Sequence, residues 1–177
     1  MLATVIVVLA AAAAPFAGPV QDSTVVEPPA APAPPTPEQL RYIEGLRSVA
    51  RGAAQLRDGI NRVARTQQTR DSLRQRQAGR RLGGLCATAR SFMASGRPRM
   101  QPSAYADSTR IVARQLVQRI DSVLKFLPTC ETTAGRKPAS VAEDLLKRMQ
   151  AYEVALAAFR TALAPPKIDT IKIPSQQ

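Results

Sequence analysis

The sequence predicts an all-α fold: an antiparallel bundle of three to four helices with one long N-terminal helix, placed after a signal segment and a proline-rich linker. Three observations predict it. The helix formers Ala, Leu, Arg and Gln dominate the 177 residues, and β-branched runs are missing beyond the N-terminal segment. Apolar residues recur at alternating spacings of three and four in separate stretches, the signature of a helix with one buried seam. Proline, glycine or a capping residue bounds each stretch.

Residues 1–20 carry no charged side chain. The run Leu2, Ala3, Thr4, Val5, Ile6, Val7, Val8, Leu9 followed by five alanines reads as the apolar core of an export signal. An uncleaved anchor is the alternative, because the uncharged stretch approaches the ~20 residues that span a bilayer. Residues 21–35 form a linker, with five prolines between Glu27 and Pro35. Such a segment holds no helical hydrogen-bond ladder and is expected to be extended. The bundle is placed at 36–164 and an extended tail at 165–177.

The first helix starts on Thr36-Pro37-Glu38-Gln39, with a hydroxyl at the N-cap, Pro at the first turn and Gln three residues on. Its seam is Tyr42, Leu46, Val49, Ala53, Leu56, Ile60 and Val63. Gly45, Gly52 and Gly59 recur every seven residues beside that seam. Each costs a helix ~1 kcal/mol against alanine, so their register predicts a groove in which another helix backbone packs closely. Residues 66–77 hold one Leu and no other apolar side chain; a solvated continuous helix and a break near Asp71 both fit. The pattern resumes at Leu82, Leu85, Ala89 and Phe92, with a kink expected from Gly79, Gly83 and Gly84, and stops by Gly96-Arg97-Pro98.

Ser103 is the expected cap of the next helix, whose seam is Ala113, Leu116, Ile120, Val123 and Leu127 and which Pro128 is expected to end. Residues 131–138 read as a polar loop. Ser140 and Glu143 then have the spacing of a capping box. The last helix runs on Ala142, Leu145, Met149, Tyr152, Leu156, Phe159 and Leu163 and stops at Pro165-Pro166. With three amphipathic segments, the first helix is expected to take the last as its partner, and its length leaves room for self-association.

Two cysteines, Cys86 and Cys130, occur outside any metal-ligand spacing. An isolated pair in an exported protein is expected to bridge, and chain entropy assigns such a loop ~4 kcal/mol. Two buried thiols are the alternative for a chain that stays in a reducing compartment.

The net charge is +12, and 20 of the 25 basic residues are Arg. Residues 41–99 hold 14 Arg against Glu44, Asp58 and Asp71, a balance of +11. Arg47, Arg51, Arg62 and Arg65 (with Arg41) lie off the seam, and Arg70, Arg74, Arg76, Arg80 and Arg81 continue into the polar stretch. These nine from Arg47 to Arg81 are the candidate anion-binding residues, since guanidinium suits bidentate contact with phosphate. A solvated face with ordinary helix pairs is the plainer alternative. The expected partner is an anionic envelope polymer or lipid. Nucleic acid fits poorly with export and is the alternative partner for a chain that is not exported, although no aromatic residues interleave with the arginines to stack on bases.

Catalysis is not expected. The chain has no His, its acidic residues are scattered, and no phosphate-binding glycine motif, nucleophile elbow or metal cluster is present. No cofactor is expected either. Pro35-Thr36-Pro37-Glu38-Gln39 resembles the L-T-x-x-Q motif repeated in small, basic, all-helical periplasmic stress chaperones, with Pro in place of Leu and without a second copy. The resemblance covers five residues and implies a basic helical surface that holds unfolded clients. Helix capping accounts for the same residues.

Overall fold

The computed structural model describes residues 34–164. The expectations for the export segment, most of the linker and the C-terminal tail lie outside the described residues. Among the described residues four α-helices pack together: α1 (Pro37–Gln67), α2 (Ser72–Gly96), α3 (Asp107–Thr133) and α4 (Pro138–Leu163). They run up, down, up and down, each packing antiparallel on the next, and α4 closes the bundle on α1. Paired contacts give the directions: Gly45 meets Gly96, Arg97 meets Asp121, Ser122 meets Arg148, and Tyr42 meets Phe159.

The first helix begins where its sequence places it. The Thr36 hydroxyl accepts from the Gln39 amide and the Gln39 side chain accepts from the Thr36 amide, a reciprocal cap. All seven seam residues face inward, Leu46 only partly. At the far end the helix stops at Gln67, and Asp71 caps α2 by accepting from the amides of Leu73 and Arg74. The apolar-poor stretch therefore contains a break.

Along α1 the three seam glycines are filled by α2. A Cβ on Gly45 would lie 2.6 Å from the Gly96 carbonyl oxygen, and one on Gly52 would lie 2.9 Å from the Ala89 carbonyl oxygen. One on Gly59 would lie 2.7 Å from Leu82 Cδ1. Here the expected partner of α1 is corrected: it packs most extensively on α2 and less on α4. The glycines explain the preference, because they let this pair of backbones approach more closely than side-chain-bearing positions allow.

The α2 seam is also corrected. Leu82 and Ala89 are fully buried as expected, but Cys86 and Met93 occupy the core where Leu85 and Phe92 were expected. Glycine sets this rotation. Gly79 and Gly83 turn toward the end of α3, where the Ala134 and Glu131 carbonyls sit against them, and α2 passes through both without interruption.

Ser103 caps nothing. It lies in a 3-10 turn, Pro102–Ala104, and α3 starts at Asp107. The intervening chain stays extended so that Tyr105 can reach the core, where it packs edge-on against Tyr42 and Phe159 at 5.1 and 5.3 Å. Pro128 does not end α3, which continues to Thr133. Burial of Leu127, Cys130 and Ala134 along the same face outweighs the one hydrogen bond that proline removes. The loop predicted at 131–138 shrinks accordingly to a tight turn closed by the Arg136 and Lys137 amides on the Thr133 carbonyl.

The Ser140 capping box is not formed either. Proline at position 138 opens α4 one turn earlier, behind Lys137, and the Glu143 carboxylate pairs with Lys147 at 2.8 Å. Most of the α4 seam is buried, while Leu156 is half-buried and Leu163 exposed. Cys86 and Cys130, both fully buried, form a disulfide that ties α2 to α3 across 44 residues of sequence. Among the described residues no helix is long and apolar enough to cross a membrane.

Candidate anion-binding cleft between α1 and α2

The break between the first two helices decides where the arginines go. Successive residues turn by about 100° on a helix, so Arg47, Arg51, Arg62 and Arg65 fall within one narrow stripe of α1. Arg74 and Arg81, seven residues apart, form the matching stripe of α2. Because the two helices are antiparallel and close, the lower ends of these stripes meet. Arg62 and Arg65 of α1 and Arg74 and Arg81 of α2 line one cleft of about 330 Å³, together with Thr66, Gln77 and Ala78.

Two of the four guanidiniums are braced. Arg62 Nε donates to Asp58 Oδ2 at 2.8 Å, one turn earlier on α1. Arg74 Nε lies 3.1 Å from Asp71 Oδ2, on the same carboxylate that caps α2. The other two have no carboxylate partner among the described residues; Arg65 Nε only touches its own helix at the Asn61 carbonyl. Arg62 and Arg81 also line a second cavity of about 270 Å³, whose other walls are Asp58, Gly84, Leu85 and Thr88. These two arginines thus border both clefts, and the second adds Leu85 and Gly84 to its lining.

The remaining candidates lie elsewhere. Arg47 and Arg51 continue the α1 stripe beyond the cleft, exposed and without an ion-pair partner among the described residues. Arg70 sits in the turn. Arg76 and Arg80 point away around α2, and the Arg80 stem lies beside Gly135 in the α3–α4 turn. Of the nine candidates, four converge on the cleft and five do not. Gln77 and Ala78 carry no signal of their own; only the fold brings them to the cleft.

Of the five arginines of the basic stretch outside these nine, Arg41 is exposed without an ion-pair partner among the described residues, and the other four have structural partners. Arg57 pairs with Glu153, Arg90 with Glu131, and Arg99 with Glu44. Arg97 holds Asp121 through two parallel bonds of 2.6 and 2.9 Å. These bridges run between helices and are mostly exposed, so each contributes little energy, of the order of ~0–1 kcal/mol, while fixing register. Their carboxylates come largely from α3 and α4, leaving the cleft arginines without competition.

The class these features define is a four-helix all-α bundle, braced by one buried disulfide, with a basic cleft along its first hairpin. No protein-family model matches the chain, and no curated protein or solved structure matches it either.

Proposed function

We propose that this is an exported, non-enzymatic interaction protein that adheres through the arginine-rich face of α1 and α2 to an anionic envelope component, a lipid surface or a polymer. The observation that carries the reading is the convergence of four arginines from two helices on one cleft. Charge segregation adds to it: residues 41–99, which span most of α1 and α2 and the turn after them, hold 14 Arg against three acidic residues, so the field there is predominantly positive over a long surface. The uncharged N-terminus and the paired cysteines support an oxidising compartment.

Attraction of this kind weakens with added salt, because exposed charges are screened beyond ~10 Å at 0.1 M. The test is co-sedimentation of the purified protein with phosphatidylglycerol vesicles and with neutral vesicles across a salt series. Retention on the anionic vesicles that falls steeply with salt supports the proposal. Equal behaviour on both, or retention indifferent to salt, refutes it.

A further inference from the structure

We infer that the cleft between Arg62, Arg65, Arg74 and Arg81 is a phosphomonoester site, with the phosphoryl group in the arginine chamber and the organic remainder in the adjoining cavity. The inference rests on the anionic-partner reading of this face and narrows it to one chemical group.

Charge balance selects the anion. Four guanidiniums border the cleft, and the carboxylates of Asp58 and Asp71 neutralise two of them. A net charge of two remains, carried by Arg65 and Arg81. A phosphomonoester carries about −1.5 to −2 near neutral pH, whereas a carboxylate or a phosphodiester carries one charge. The two braced arginines supply preset donors, since their Nε atoms are already held, and the two unbraced ones supply mobile forks that close on the remaining oxygens. Gln77 adds a neutral amide at the wall.

The second cavity decides between an ester and free phosphate. It shares Arg62 and Arg81 with the first cleft, and its wall includes Leu85 and the bare backbone of Gly84, where a Cβ would meet no atom within 4 Å. Its volume of about 270 Å³ offers space beside the arginines for a carbon chain or polyol attached to the phosphate.

Calorimetric titration with glycerol phosphate, with acetate as the monoanion control, tests the site on the full chain. The variants are Arg65→Gln/Arg81→Gln and, as a charge-matched comparison on α3, Arg114→Gln/Arg119→Gln. All four side chains are exposed, so equal thermal melts are expected for both. The expected result is glycerol phosphate bound in preference to acetate, with affinity lowered about tenfold or more in the cleft variant, the cost of two charge-assisted contacts, and changed less than about twofold in the other. A parallel arm compares vesicles of phosphatidic acid with phosphatidylglycerol vesicles of equal charge. A preference for phosphatidic acid that the cleft variant abolishes identifies a lipid headgroup as the source. Binding of glycerol phosphate without that preference identifies a soluble ester. Equal losses in the two variants, or no discrimination between glycerol phosphate and acetate, overturn the site. Salt-sensitive adhesion to vesicles persisting in the cleft variant would then leave the broader reading standing. Binding of glycerol phosphate that the cleft variant loses, without vesicle adhesion of the unmodified protein, would support the site and refute the broader reading.

Discussion

Alanine placed at four glycines of one hairpin separates close helix packing from helix propensity. In a solvated helix, Gly→Ala stabilises by ~1 kcal/mol. Gly84 is such a position, since a Cβ there meets nothing within 4 Å. Gly84→Ala is therefore expected to raise stability by about 1 kcal/mol, or roughly 3–5 °C in a bundle of this size. At Gly45 the same propensity gain is opposed by contacts of 2.6 Å with a backbone oxygen, 2.9 Å with Met100 Cγ and 3.0 Å with Arg99 Cβ. A backbone oxygen cannot rotate away, so α1 and α2 must separate there, and overpacking of this kind costs ~1–3 kcal/mol. The net expectation for Gly45→Ala is a loss of about 1 kcal/mol. Gly52→Ala meets both Met93 Cγ at 2.8 Å and a backbone oxygen, and should behave similarly. Gly59→Ala meets mainly the tips of Leu82 and Leu85, which can give, and should be near neutral. These sites lie about 10 Å apart along the helix, far enough for their effects to add, so the triple variant should lose ~2 kcal/mol. Urea unfolding followed by circular dichroism under non-reducing conditions measures all of them. A Gly45→Ala variant as stabilised as Gly84→Ala would refute the close seating of α1 on α2.

Removal of the disulfide by Cys86→Ser/Cys130→Ser should lower unfolding free energy by ~4 kcal/mol, the loop-entropy value for this separation. Unchanged denaturation midpoints would show that the bridge carries no constraint. Because both sulfurs are fully buried, the native bridge should also resist reductant until the bundle unfolds, which alkylation in native buffer tests. Alkaline pH should unfold the protein. Burial raises the phenol pKa values of Tyr42, Tyr105 and Tyr152 above their ordinary 10.0, so the unfolded chain ionises first. Their contribution is complete below about pH 10 and is lost as pH rises through the folded values. Tyrosinate absorbance should therefore appear together with loss of helix; free titration near pH 10 with helix content intact would contradict the buried cluster.

Periodicity and end signals reached the long seams of α1 and α3, the reciprocal cap at Thr36 and Gln39, and the cysteine pair, because each is a local pattern with one physical cause. The failures occur where tertiary packing overrules a local signal. Pro128 is a sound stop signal on its own, yet α3 continues because Cys130 and Ala134 have buried places to fill. Ser103 and Ser140 are good caps, but burial of Tyr105 delays one helix and Pro138 starts the other early. In α2, the three-four spacing of apolar residues favoured Leu85 and Phe92 for the core, whereas the glycines at 79 and 83 set the rotation and bring Cys86 inward. Nothing in a single chain's periodicity reports which carbonyls will lie against a glycine. The cleft was legible as a basic stretch and illegible as a site, since its four arginines come from two helices whose pairing and register were open.

The glycines and the arginines belong to one design. With a side chain at 45 and 52, where a backbone oxygen blocks the way, α1 and α2 would sit farther apart, and the two arginine stripes would separate. Close seating brings Arg62 and Arg65 opposite Arg74 and Arg81, where their mutual repulsion is reduced by Asp58 and Asp71 and left uncancelled at two positions. A fold gains nothing from gathering like charges in a cleft; in isolation the arrangement opposes the packing that creates it. Glycine spacing therefore sets more than stability: it sets the distance across which an anion would be held. Gly59 is the seam glycine nearest the cleft, and the leucines it meets, Leu82 and Leu85, lie one residue and one turn beyond Arg81, so helix packing at this point adjoins the cleft directly.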